Sequence, residues 1–113
     1  MDPAPRLRSD LVARAIIRQS AMDGRMAVMA RKGDPDAGGI LVVLNGKGGL
    51  GVVLSQTRTQ DGESAWLRAT GPTPLTETEV QDYVARQLRY DPDLWVLEID
   101  AADFSPPFQA ILL

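Results

Sequence analysis

The side chains available for chemistry in this sequence are carboxylates, hydroxyls, Lys and Arg, because its 113 residues include no His and no Cys. Thiolate catalysis, disulfide frameworks, imidazole acid–base steps and the usual zinc donor sets are therefore excluded. A Ser-His-Asp triad cannot be built. Net charge is −3, which does not favour bulk binding to nucleic acid. The open possibilities are carboxylate-held metals, backbone phosphate cradles, or binding without catalysis.

Three constellations deserve weighing. Pro35-Asp36 precedes the aliphatic run Ile40–Leu44, which ends in Asn45-Gly46-Lys47. This arrangement resembles metal-dependent nucleases of the PD-(D/E)xK type. The resemblance implies acids on Mg²⁺ and a Lys that positions water, with Asp36 and Lys47 as weak catalytic candidates. Asn45 stands where the second acid belongs, which removes a charged ligand. Gly46-Lys47-Gly48-Gly49-Leu50-Gly51 satisfies G-x-G-x-x-G, so Gly46, Gly48 and Gly51 are loop candidates for a phosphate or small ligand. A phosphate site would need a helix next, and Val52-Val53-Leu54 reads as a strand. A hairpin loop is the simpler reading. Asp34-Pro35-Asp36-Ala37-Gly38 opens like a calcium loop, but its twelfth position is Asn45 rather than a bidentate Glu. A polar turn fits better. No metal and no cofactor are expected.

The elements that must hold these residues can be read from spacing. Ser9 or Asp10 can cap a helix over 10–23. Leu11, Val12, Ala15, Ile16 and Met22 share an arc of about 140° on it, with Gln19 inside and Ile17 pointing away. Gly24 suits the position just past the helix end. Met26–Arg31 is a short strand. Ile40–Leu44 lacks alternation, as in a strand buried on both faces. Val52 opens another strand, and Asp61-Gly62 predicts a two-residue hairpin turn. Ser64–Thr70 returns, with Ala65, Leu67 and Ala69 on one face and Trp66 and Arg68 on the other.

Thr76 and Glu79 form a capping box, with Leu75 and Val80 placed as a hydrophobic staple. The helix should run to about Tyr90 on a buried arc of Val80, Tyr83, Val84 and Leu88. Asp91-Pro92 stops it, and Leu94–Ile99 is a last strand. Trp95 alternates with Leu97 and Ile99 and should pack on the sheet, and Trp66 is expected in a core or half-buried place. Glu98 is the one acid expected near the core, with Arg31, Lys32 or Arg68 as ion-pair partners.

The order α-β-β-β-β-α-β predicts a two-layer α+β domain. Its first four strands form an antiparallel meander, and the second helix returns the chain to a fifth strand. The expected organisation is a flexible tail over 1–8, one domain over 9–103, and an apolar C-terminal tail over 104–113. The length suffices for one core without staples. There is no apolar leader and no membrane-length run, so a cytoplasmic protein is the default.

Arg31-Lys32-Gly33-Asp34-Pro35-Asp36-Ala37-Gly38 and Tyr90-Asp91-Pro92-Asp93-Leu94-Trp95-Val96-Leu97-Glu98 together resemble the bacterial domain-of-unknown-function family 1491, over about residues 8–100. The resemblance implies a bacterial cytosolic protein and supplies no catalytic residues.

The charge is polarised. Residues 1–33 carry seven basic and three acidic residues, whereas 34–113 carry five basic and twelve acidic. A basic helix edge (Arg8, Arg14, Arg18) can face Asp91, Asp93, Asp100 and Asp103 of a second copy, and in a two-fold pair each contact occurs twice. The function expected from the sequence is a non-enzymatic, self-associating protein-interaction module. The alternatives are a divalent-metal nuclease-like enzyme and a small-ligand or phosphate binder between the Gly-rich loop and Asp34–Gly39. Membrane and nucleic-acid partners are not expected.

Overall fold

The computed structural model describes residues 7–113. Most of the expected N-terminal tail, residues 1–6, lies outside the described residues. The elements are α1 (Ser9–Met22), β1 (Ala27–Arg31), β2 (Ile40–Asn45), β3 (Gly51–Arg58), β4 (Ser64–Arg68), α2 (Glu77–Tyr90) and β5 (Trp95–Asp100), with a single 3-10 turn at Lys47–Gly49. The class is α+β and the element order is the one read from the sequence.

The sheet is mixed, in the order β1-β5-β2-β3-β4. The antiparallel meander is therefore limited to β2, β3 and β4. β5 enters between β1 and β2, antiparallel to β1 and parallel to β2. Four of the six residues of β5 are apolar, and the central slot lets both of its edges bond. Leu97 and Ile99 have no exposed surface, and Trp95 and Val96 are buried.

The layering is three rather than two. Ile40, Val42, Leu44, Leu97 and Ile99 meet Ala13 and Ile16 of α1 on one face. Leu41, Val43 and Val96 meet Val80 of α2 on the other, with Tyr83, Val84, Leu88 and Leu75 packed around them. Alternate residues of β2 thus serve opposite cores, which is why its sequence carries no polar alternation.

The two helices differ in how well spacing located their buried face. On α2 the capping box forms. Thr76 Oγ1 accepts from the Glu79 amide at 3.2 Å, and Glu79 Oε1 accepts from the Thr76 amide at 3.1 Å. On α1 the buried residues are Ser9, Ala13, Ile16 and Ser20. Ile17 packs toward the core, whereas Leu11 and Met22 are 53% and 81% exposed. Small side chains bring α1 close to the sheet, and the two buried hydroxyls are satisfied locally. Ser9 Oγ donates to the Gly38 carbonyl and Ser20 Oγ to the Ile16 carbonyl.

Neither Ser9 nor Asp10 caps α1. Its first amides, Ser9 and Asp10, donate to the carbonyls of Asp36 and Pro35, so a distant loop satisfies the helix end. The β3–β4 turn also departs from the two-residue form. Thr59 and Glu63 close it, and Gly62 alone takes positive φ, at 85°, as in a three-residue loop.

Residues 104–113 lie on the domain. Phe108 is buried edge-on against Trp66, with ring centroids 5.6 Å apart. The Trp66 amide donates to the Ile111 carbonyl and the Leu113 amide to the Trp66 carbonyl. The C-terminus therefore covers the edge that β4 would otherwise expose.

Candidate functional site

The residues named from the sequence fall at several places. Asp36 precedes β2 and Lys47 follows it. Six strand residues separate them, about 20 Å at ~3.3 Å per residue, so one metal ion does not contact both. Asp36 serves the start of α1: its carbonyl accepts from Ser9, and its carboxylate lies 3.4 Å from Arg8 Nε. Among the described residues no group of three or more acids is placed to hold a metal ion.

Gly46, Gly48 and Gly51 belong to the β2–β3 hairpin. Gly48 takes φ 67° within the 3-10 turn, and the next element is β3, not a helix. The Gly-rich loop and the Asp34–Gly39 connection sit at opposite ends of β2, so they do not enclose a common site.

The Asp34–Gly39 connection instead packs against the segment after α2. The Asp34 amide donates to the Asp93 carbonyl at 3.0 Å. Trp95 Nε1 donates to the Asp34 carbonyl at 2.7 Å. Arg31 Nη2 donates to the Pro92 carbonyl at 2.7 Å. A Cβ on Gly33 would lie 2.1 Å from the Asp93 carbonyl oxygen, and one on Gly38 2.3 Å from it. The two motifs singled out in the sequence are thus the halves of one structural junction. Asp91 and Asp93 are exposed there, at the start of β5, while Asp100 and Asp103 lie at its far end. The acidic run is two patches rather than one.

Arg14 and Arg18 are exposed on α1 and make no salt bridge among the described residues. At 100° per residue they adjoin Leu11, Ala15 and Met22 on the outward face. The apolar arc read from the sequence is largely this outward face.

Spacing alone missed a concavity beside α2. α2 covers β2 and β3 but leaves β5 and β1 open on its side of the sheet, and a cleft of about 650 Å³ results. Val43 and Val96 form its floor, and Val80, Val84 and Leu88 its helical wall. Polar groups stand around it: Asn45, Glu98, Glu77, Gln81 and Arg31. Glu98 does not pair with Arg31, because Arg31 turns to Pro92. Its contact is Asn45 Nδ2, at 3.4 Å from Glu98 Oε1. A carboxylate on an otherwise apolar strand was the available sequence signal, but only the sheet order shows what it faces. Near this wall, burial raises the Tyr83 phenol above its ordinary pKa while Arg86 opposes the shift, so the ring is neutral at pH 7.

The fold is a compact α+β domain with a mixed five-stranded sheet between two helices, and its concavity is of the size that takes small ligands. The chain belongs to the family described as "Protein of unknown function (DUF1491)", whose model matches residues 7–109. The match reaches past residue 100 into the C-terminal segment. A crystal structure of a family member from Caulobacter crescentus is 31% identical, with a TM-score of 0.82, covering 96% of this chain and 100% of that one. An NMR structure of a family protein from the same organism is 32% identical, with a TM-score of 0.80, covering 95% and 96%. A solution structure from A. tumefaciens shares the fold at 22% identity and a TM-score of 0.79, covering 96% and 98%. No curated protein matches the chain. No helix among the described residues is long and apolar enough to cross a membrane.

Proposed function

We propose that this protein is a cytoplasmic binding module that works by protein–protein contact, first with a second copy of itself through the outer face of α1. The observation that carries this reading is the exposure of Leu11 and Met22, at 53% and 81%, on a helix already packed by its opposite side. Arg14 and Arg18 flank that apolar stripe without ionic partners among the described residues.

A second copy supplies complementary charge. Asp91 and Asp93 stand at the junction that also holds the N-terminus of α1, so an acidic end adjoins a helix whose middle is basic. In a two-fold pair, Arg14 and Arg18 of each copy face Asp91 and Asp93 of the other, and every contact occurs twice. Charge of this kind sets register and association rate, while the apolar stripe supplies the buried area.

Light scattering over a range of protein and salt concentrations tests the reading. The expected result is a dimer that weakens as salt screens the charges, and that dissociates in the double variant Arg14→Glu, Arg18→Glu. A chain that stays monomeric at every salt and at high protein concentration rejects it.

A further inference from the structure

We propose that the cleft beside α2 binds a short apolar peptide with free ends, its ammonium group held at Glu98 and its carboxylate at Arg31. The lining is divided in a way that suits such a ligand. Val80, Val84 and Leu88 follow one another at four-residue spacing, so they form a continuous stripe along α2. Val43 and Val96 face that stripe from the sheet. The charged groups stand toward the two ends of this apolar middle.

Their separation follows from the register. Arg31 lies opposite Val96, and Glu98 opposite Val28. Two residues along β5 is about 6.6 Å, and the reach of the Arg31 guanidinium toward the Pro92 carbonyl carries it away from Glu98. The ammonium and carboxylate of a free amino acid are within one residue's rise of each other, ~3.5 Å, whereas those of a two- or three-residue peptide span about 7–10 Å. The peptide length, rather than the single amino acid, matches the cleft. Its volume of about 650 Å³ lies in the range of ligand sites.

Each end has spare capacity. Neither Glu98 nor Arg31 is in a salt bridge among the described residues. Arg31 commits Nη2 to Pro92, which leaves the other guanidinium donors for a carboxylate. Glu98 accepts only one long bond, from Asn45 at 3.4 Å. Glu77 lines the same cleft, and its charge adds to the attraction for an ammonium group.

Calorimetric titration of the purified protein with trileucine, N-acetyl-trileucine and trileucine amide tests this. Trileucine should bind, and blocking either end should weaken binding by roughly tenfold, the loss of one charge-assisted contact. Glu98→Gln should make trileucine and its N-acetyl form equivalent. Arg31→Met should make trileucine and its amide equivalent. Val84→Trp, which fills the cleft from α2, should abolish binding with the fold retained by circular dichroism. If that variant does not fold, the two end-specific equivalences carry the test. Absence of trileucine binding at millimolar concentration, equal binding of the blocked peptides to the unaltered protein, or binding that survives a folded Val84→Trp would each overturn the proposal.

Discussion

Gly33→Ala should separate the two motifs of the junction and destabilise the whole domain. An added Cβ would lie 2.1 Å from the Asp93 carbonyl oxygen, 2.6 Å from the Leu94 carbonyl carbon and 2.7 Å from Trp95 Cδ1. Two of these three neighbours are backbone, so no side chain can swing aside to make room. Relief requires the Asp34–Gly39 connection to move off the Asp93–Trp95 segment. That movement stretches the Asp34 amide bond to Asp93 and the Trp95 Nε1 bond to Asp34, now 3.0 and 2.7 Å. Overpacking of this kind costs about 1–3 kcal/mol, and each weakened hydrogen bond adds about 1 kcal/mol. A total of about 3–5 kcal/mol is a large share of the ~5–15 kcal/mol that holds a domain together, and it corresponds to roughly 15 °C in melting temperature.

The control is Gly48→Ala. A Cβ there meets nothing within 4 Å, and only its φ of 67° is unfavourable, which costs about 1–2 kcal/mol. Urea titration followed by tryptophan fluorescence measures both, since Trp95 reports on the junction itself. Equal destabilisation by the two substitutions would refute the argument that close backbone approach is what the junction needs from Gly33.

Two further outcomes follow from the helices and the C-terminus. Glu79 is held below its ordinary carboxylate pKa by the amide and then the hydroxyl of Thr76. Its contribution is therefore present above the unfolded-state pKa and lost as pH falls through the lower folded-state value. Thr76→Ala removes the hydroxyl but keeps the amide at position 76, so it should shrink that acid-side component without abolishing it and lower stability by about 1 kcal/mol at pH 7, read by denaturation at several pH values; an unchanged pH profile would contradict it. Phe108→Ala should cost about 3 kcal/mol, because the ring is 7% exposed and packs edge-on against Trp66. The same change should shift tryptophan emission to the red as Trp66 gains water, and an unshifted spectrum would count against the C-terminal segment being part of the core.

The legible parts of this protein are those with local causes. Thr76 and Glu79 are three residues apart, and their reciprocal bonds form within a single helical turn, so α2 begins where the sequence places it. The run Ile40–Leu44 announces a strand dry on both sides for the same reason: each residue declares its own burial. The illegible parts depend on residues far apart in the chain. Both arcs of α1 carry apolar side chains, and the smaller residues win the core because Ala13 and Ser20 allow close approach to the sheet. Asp36 looks catalytic beside Lys47 until β2 is laid out at full length between them. Glu98 looks like half of an ion pair until Arg31 is seen bonded to Pro92.

What the sequence by itself determined is the chemical repertoire and the elements. A chain without His or Cys has few reactive groups, and hydrophobic period, caps and turns mark two helices and five strands through interactions within a few residues. Only the tertiary structure decided that β5 enters between β1 and β2, that α1 and α2 take opposite faces, and that β5 and β1 are left open beside α2. Those outcomes come from non-local strand pairing and from competition between alternative buried surfaces. Their free energies are summed over the whole domain, and no short window of sequence contains them.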